Sequence, residues 1–198
     1  AAAADGGHRP DSRFDAPACL SAVLLDRVLP LVNRPARYLG GERGADRRPW
    51  RSDRANLLLA FPDAYEIGMS HTGLRVLYAA VNARPDAFAD LAFAPWPDLE
   101  ERLRAERLPL FGWQTRRPAR QFDVLGFSLG YELGYTNLLT MVDLAGVPLR
   151  AADRGPGDPV VVAGGACAAN PTVLSAFVDL FFLGDGEETV REIAAAAA

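Results

Sequence analysis

From Asn56 onward the chain repeats one pattern: a short, wholly apolar run ends in Gly, Pro, Asp or Ser and gives way to a stretch with helical apolar spacing. Such runs are short for helices and lack the alternation of half-exposed strands, so they fit strands buried on both faces. Strands that alternate with helical stretches make parallel sheets with crossover helices. The runs fall at 57–61, 91–94, 124–128, 160–163 and 180–183. Helical stretches fall at 70–82, 98–107 and 135–145, with a short one near 172–177 and a last one that opens near Glu187. The fold class implied is α/β: a doubly wound, Rossmann-like or flavodoxin-like, parallel five-stranded sheet with helices on both faces.

The remaining segments divide around that unit. Residues 1–18 are rich in Ala, Gly, Asp and Arg without periodicity and read as a disordered tail. Residues 19–54 begin with a helix that puts Leu20, Val23, Leu24 and Val28 on one face and stops at Pro30, then continue as a Gly-, Pro- and Arg-rich irregular lead-in. The domain itself occupies 55–193, and 194–198 are an uninformative Ala run. Two arginine groups, Arg47, Arg48, Arg51 and Arg54, then Arg116, Arg117 and Arg120, read as solvated faces, with an acidic partner or RNA as the sharper alternative.

The formal net charge of −4 argues against a dedicated nucleic-acid binder. Two cysteines, Cys19 and Cys167, are too few for a disulfide framework or a four-ligand zinc site, which points to a reducing compartment. Cys167 reads as a small packing residue. No apolar run approaches the roughly 18 residues that span a bilayer, and no signal-peptide pattern opens the sequence. The expectation is a cytoplasmic protein with no membrane anchor.

In an open parallel sheet, ligands bind beyond the carboxyl ends of the strands, where loops and helix N-termini gather. The loop after the first strand concentrates Asp63, Glu66, Ser70 and His71; a helix cap by Ser70 accounts for part of that set. His71 has the chemistry of a metal ligand or an acid/base, and equally of a hydrogen-bonded structural residue. The third loop sets the Ser128 hydroxyl beside Tyr131 and Tyr135, either a surface for a flat cofactor or aromatic packing on the sheet edge. Gly164 and Gly165 serve either close approach of a ligand or a tight turn. In the fifth loop Gly184 and Gly186 offer backbone N–H groups to an anion, yet Asp185, Glu187 and Glu188 oppose one and suit the N-terminus of the helix they open. Pro62, Asp63 and Ala64 stand where a dinucleotide fingerprint would follow the first strand, which argues against a nicotinamide dehydrogenase.

Six segments carry a resemblance: PARYLGGE at 35–42, FPDAYEIGMSH at 61–71, APWPD at 94–98, GFSLGYELGYTN at 126–137, AGGACAANP at 163–171 and FLGDGEE at 182–188. In this order they resemble radical S-adenosylmethionine (radical SAM) proteins that carry an N-terminal cobalamin-binding-like domain, over about 29–193. The resemblance implies cobalamin as cofactor, with the loops after the first, third and fourth strands around the corrin and its nucleotide tail. By that analogy Ser128, Gly164 and Gly165 approach the cofactor; with the strand-end loops above, the candidate cofactor-binding residues are Asp63, Glu66, Ser70, His71, Ser128, Tyr131, Gly164, Gly165, Gly184 and Gly186, with no catalytic or metal-ligating residue.

Two departures qualify the resemblance. The Asp-x-His-x-x-Gly loop that supplies an axial imidazole to cobalt is not matched, because Tyr65 stands two residues after Asp63 and Gly73 follows His71 one residue too early. Either cobalt is held without a protein histidine, or the cofactor is absent and the fold serves as a scaffold. Secondly, Cys19 and Cys167 do not supply the three-cysteine motif of a [4Fe–4S] cluster. Cluster and S-adenosylmethionine are therefore expected only in a radical catalytic domain, acting in cis or in trans on an unknown substrate. The chain is expected to stop about where that domain begins and to be inactive alone. The alternative is a cofactor-free scaffold or interaction domain that docks a radical domain or its substrate; a flavin or nucleotide binder rests on fold analogy alone.

Overall fold

The computed structural model describes residues 19–197, so the expected tail at 1–18 lies outside the described residues. The five apolar runs form one all-parallel sheet in the order β2-β1-β3-β4-β5. The strands are β1 (Ala55–Phe61), β2 (Ala87–Phe93), β3 (Val124–Ser128), β4 (Val160–Gly164) and β5 (Leu180–Phe181). β2 starts four residues before the sequence reading placed it, pairing residue for residue with β1 from Ala55↔Ala87 to Phe61↔Phe93. Asp90 interrupts the apolar run that the sequence shows. It sits inside the strand because its buried carboxylate accepts from the backbone N–H groups of Leu91, Gln114 and Thr115 at 2.7–2.9 Å and from the Thr115 hydroxyl at 2.7 Å.

The helices of the sheet unit are α2 (Tyr65–Ser70), α3 (Thr72–Asn82), α4 (Pro97–Ala105), α5 (Gly134–Leu144) and α6 (Gly186–Ala197), preceded by the short α1 (Ser21–Val23). From β1 the chain steps outward to β2, then crosses back to β3 and continues away. Right-handed crossovers therefore put α3 on one face of the sheet and α4 and α5 on the other. Arg104 of α4 reaches Asp143 of α5 at 2.8 Å, while α6 returns to pack on α3 and β1. Ala194 is buried on α6, so this part of the terminal Ala run belongs to the fold. None of the described helices is long and apolar enough to cross a membrane.

Three sequence expectations need correction. No α-helix forms at 172–177: two 3₁₀ turns, Ala166–Ala169 and Pro171–Val173, link β4 to β5, with Leu174 and Val178 beyond them buried in the core. β5 is two residues long and not buried on both faces, Leu180 being 57 % exposed. The N-terminal helix continues as a π turn (Leu24–Val28) and a 3₁₀ turn (Leu29–Leu31), with Pro30 inside the last turn rather than at its stop.

The third correction concerns the arginine groups: the lead-in is irregular, as expected, and Arg47 and Arg51 are exposed, but the other arginines are clamped to the fold. Arg48 donates to the carbonyls of Asn82 and Arg84 at the end of α3, Arg54 lies over Phe88 at 5.3 Å, and Arg117 over Trp50 at 4.6 Å. Arg120 pairs with Asp158.

Candidate functional site

The loops after β1 and β3 leave the sheet toward opposite faces, because one leads to α3 and the other to α5. The crevice between them is where open α/β sheets take ligands. A cavity of about 510 Å³ opens there and runs down between the sheet and the α3–α6 pair. Its floor comes from one face of three strands: Leu57 and Leu59 of β1, Val124, Gly126 and Ser128 of β3, Val162 and Gly164 of β4. Leu77 of α3 and Val190 and Ile193 of α6 roof it, and His71, Gly165, Gly184, Asp185, Gly186 and Glu187 stand around its mouth.

Six of the ten residues named from the sequence line this cavity: His71, Ser128, Gly164, Gly165, Gly184 and Gly186. The other four lie elsewhere, three of them because α2 forms within the first loop. Asp63 accepts from the N–H of Ala64 at 2.6 Å at the start of that helix, and Glu66 pairs with Arg37 at 2.7 Å. Ser70 spends its hydroxyl on the Ile67 carbonyl at 2.8 Å and caps nothing. The cap of α3 is His71, whose Nδ1 accepts from Leu74 N–H at 3.2 Å while its ring packs on Phe61 at 4.9 Å. Tyr131 closes the turn before α5, its carbonyl accepting from Gly134 N–H at 3.2 Å. Beside it, burial raises the Tyr135 phenol above its ordinary range, with Cys167 and Glu132 adding to the shift.

Gly165 has a structural reason of its own. Its φ is +102°, and a Cβ there would stand 2.6 Å from the Leu129 carbonyl oxygen, so the residue serves the packing of the fourth loop on the third. Sequence reasoning missed the floor and roof, Leu59, Gly126, Val162 and Ile193 among them. One signal was available: Gly126 is the glycine in the middle of an otherwise bulky strand. No set of three or more His, Cys, Asp or Glu side chains among the described residues is arranged to hold a metal ion.

A parallel sheet in this order, with a cavity at its reversal point beneath α3 and α6, defines a flavodoxin-like α/β fold. The family described as radical SAM proteins, N-terminal, matches residues 73–198, most of the chain, and the chain belongs to that family. The match takes in the loops after β3, β4 and β5 and begins just past His71, so Asp63, Glu66, Ser70 and His71 lie outside it. No protein of curated function matches the chain in sequence.

Proposed function

We propose that this chain is a cofactor-holding module of a radical SAM system, with the nucleotide tail of a cobalamin in the cavity and the corrin over the loops at its mouth. The observation that carries the reading is the cavity itself: about 510 Å³, at the reversal point of the sheet, with Gly126 and Gly164 in its floor. That size lies within the roughly 300–1,000 Å³ of small-molecule sites. Apolar walls suit an aromatic ring, and the Ser128 hydroxyl, which has no partner among the described residues, offers a hydrogen bond at the strand end. Asp185 and Glu187 at the mouth suit amide N–H donors, such as the side-chain amides of a corrin.

When bound, cobalamin supplies organometallic chemistry at its cobalt. The work of this chain is to bind and orient: the floor receives the tail, α6 shields it from water, and the glycine-rich loops admit the larger ring. His71 Nδ1 caps α3, so His71 would position the helix at the mouth rather than serve as a ligand of cobalt. Iron–sulfur and S-adenosylmethionine chemistry belongs to a radical catalytic domain in cis or in trans.

Incubation of the purified chain with hydroxocobalamin, followed by gel filtration, tests the reading. About one equivalent should elute with the protein, and paramagnetic resonance of the Co(II) form should be the same in His71→Ala. A folded chain that retains no cobalamin overturns the proposal and leaves the scaffold that docks a radical domain or its substrate.

A further inference from the structure

We propose that a second, smaller pocket, at the β2 edge of the sheet, binds a small carboxylate with an apolar body, whether or not the chain holds a cobalamin. The pocket measures about 330 Å³, lies between the lead-in at 42–45, α3 and the turn at 113–114, and shares no residue with the cavity at the reversal point. That volume is at the lower end of the roughly 300–1,000 Å³ of small-molecule sites. Met69, Val76 and Leu91 give it apolar walls.

Three groups in the lining are donors without acceptors. Trp113 is 5 % exposed, and its indole N–H is buried with no partner among the described residues. Native folds rarely leave a buried donor unpaired, because its lost hydration is not replaced. The indole is also held in place: it stacks on Tyr65 at 4.8 Å and Phe93 meets it edge-on at 5.1 Å, so the donor is oriented before a ligand arrives. Arg43 and Arg75 are exposed, and neither guanidinium has a partner among the described residues, whereas Arg84, Arg104, Arg120 and Arg154 each hold a carboxylate. Gln114 spends its side-chain carbonyl on the Gly41 N–H at 2.8 Å and keeps its amide N–H groups free among the described residues.

The acceptors of the lining are already in use. Asp90 is enclosed by its own four donors, and Glu42 takes the Tyr65 hydroxyl. At the mouth, the two arginines outweigh the one carboxylate of Glu42, an excess that suits a monoanion better than a phosphate dianion. A carboxylate supplies the acceptors that Trp113 and the arginines lack, and the apolar walls favour a ligand whose remainder is hydrocarbon.

The test follows the tryptophan indole N–H signals of the isotope-labelled chain by NMR, with that of Trp113 assigned through Trp113→Phe. Hydrocinnamate should shift the Trp113 signal saturably and leave those of Trp50 and Trp96 in place. Its neutral amide should bind at least about tenfold more weakly, and phenyl phosphate should bind more weakly than the acid. Arg75→Gln, a change at an exposed position that leaves folding intact, should cost the acid about tenfold and the amide little. L-Phenylalanine distinguishes two sources of the same chemistry: tighter binding than hydrocinnamate assigns the pocket to an amino acid whose ammonium group meets Glu42, and weaker binding assigns it to a free acid. No saturable shift from either at up to about 10 mM, equal binding of acid and amide, tighter binding of phenyl phosphate, or unchanged affinity in Arg75→Gln overturns the proposal.

Discussion

At the β2 edge of the sheet loops and side chains cover the strand, whereas at the β5 edge protection comes from shortness alone. The Asn82 side chain accepts from Ala89 N–H and donates to Ala89 C=O, Trp113 N–H reaches the Leu91 carbonyl at 2.7 Å, and Asp90 gathers the turn at 113–115. Tyr65 stacks on Trp113 at 4.8 Å, and Trp50 meets Phe88 and Phe122 edge-on. β5 is two residues long, and the chain is tied at its start by the Arg154 guanidinium, which holds Asp179 at 2.7 Å and the Phe177 carbonyl at 2.6 Å. The backbone at β2 is thus satisfied by loops, as edge strands require, and the backbone at β5 is left to solvent. Stability is concentrated at one edge, and the cavity lies on the other side of β1, toward the open edge. Substitutions on the binding side therefore have room to act on ligands without unfolding the domain.

The largest effect tests the sealed edge. Asp90→Ala removes a buried acceptor from three backbone N–H groups and a hydroxyl at once. Leaving buried donors unpaired should cost about 3–5 kcal/mol in urea denaturation. A loss under about 1 kcal/mol would mean that solvent satisfies the turn at 113–115 and that the edge is not sealed.

The same asymmetry governs how much was legible in the sequence. Continuous apolar runs announced the strands, because a strand buried on both faces has no polar side, and the strand-end rule then placed Ser128, Gly164, Gly184 and Gly186 around one cavity. What stayed hidden depends on contacts between residues far apart in the chain. Nothing near Arg48 or Arg117 tells that one meets the end of α3 and the other a tryptophan some 70 residues earlier, about the order of long-range contact that local pattern does not encode. Asp90 concealed half of β2 for the same reason. In the first loop a dense polar set was read as a ligand site, but the short α2 turns Glu66 toward Arg37 and spends Ser70 on its own last turn.

A smaller effect reads the aromatic stack through pH. Burial, the hydrogen bond to Glu42 and the nearby charges of Glu42 and Glu66 push the Tyr65 phenol up to about 12, from an ordinary value of 10.0. A folded pKa above the unfolded one gives a contribution that is complete below the unfolded value and lost as pH rises through the folded value. Between about pH 10 and 12 the unfolded chain ionises Tyr65 and the folded chain resists, so stability should fall across that window. Tyr65→Phe should show a shallower fall than the parent when denaturation midpoints are compared at the two ends of the window. Parallel curves would place the phenol in solvent and loosen the stack on Trp113.

The smallest effect, and the sharpest comparison, uses the two ends of one row. Leu91 and Leu180 close the same line of side chains across the sheet, on the same face, at opposite edges. Leu91 is 8 % exposed and Leu180 57 %. Truncation of a buried leucine costs about 2–5 kcal/mol through lost transfer energy and the cavity left behind. Truncation of an exposed one removes little area from the core and leaves no cavity, so its cost should stay within about 0.5 kcal/mol. Leu91→Ala and Leu180→Ala, measured side by side by urea denaturation at low protein concentration, should therefore differ by at least about 1.5 kcal/mol. Equal losses would show that the Leu180 end of the row is covered in solution, and a dependence of that loss on protein concentration would identify the cover as a second copy of the chain. A near-zero cost at Leu180 beside a full cost at Leu91 would show that two leucines in one row of the sheet differ in their contribution to stability because of what the rest of the chain lays across them.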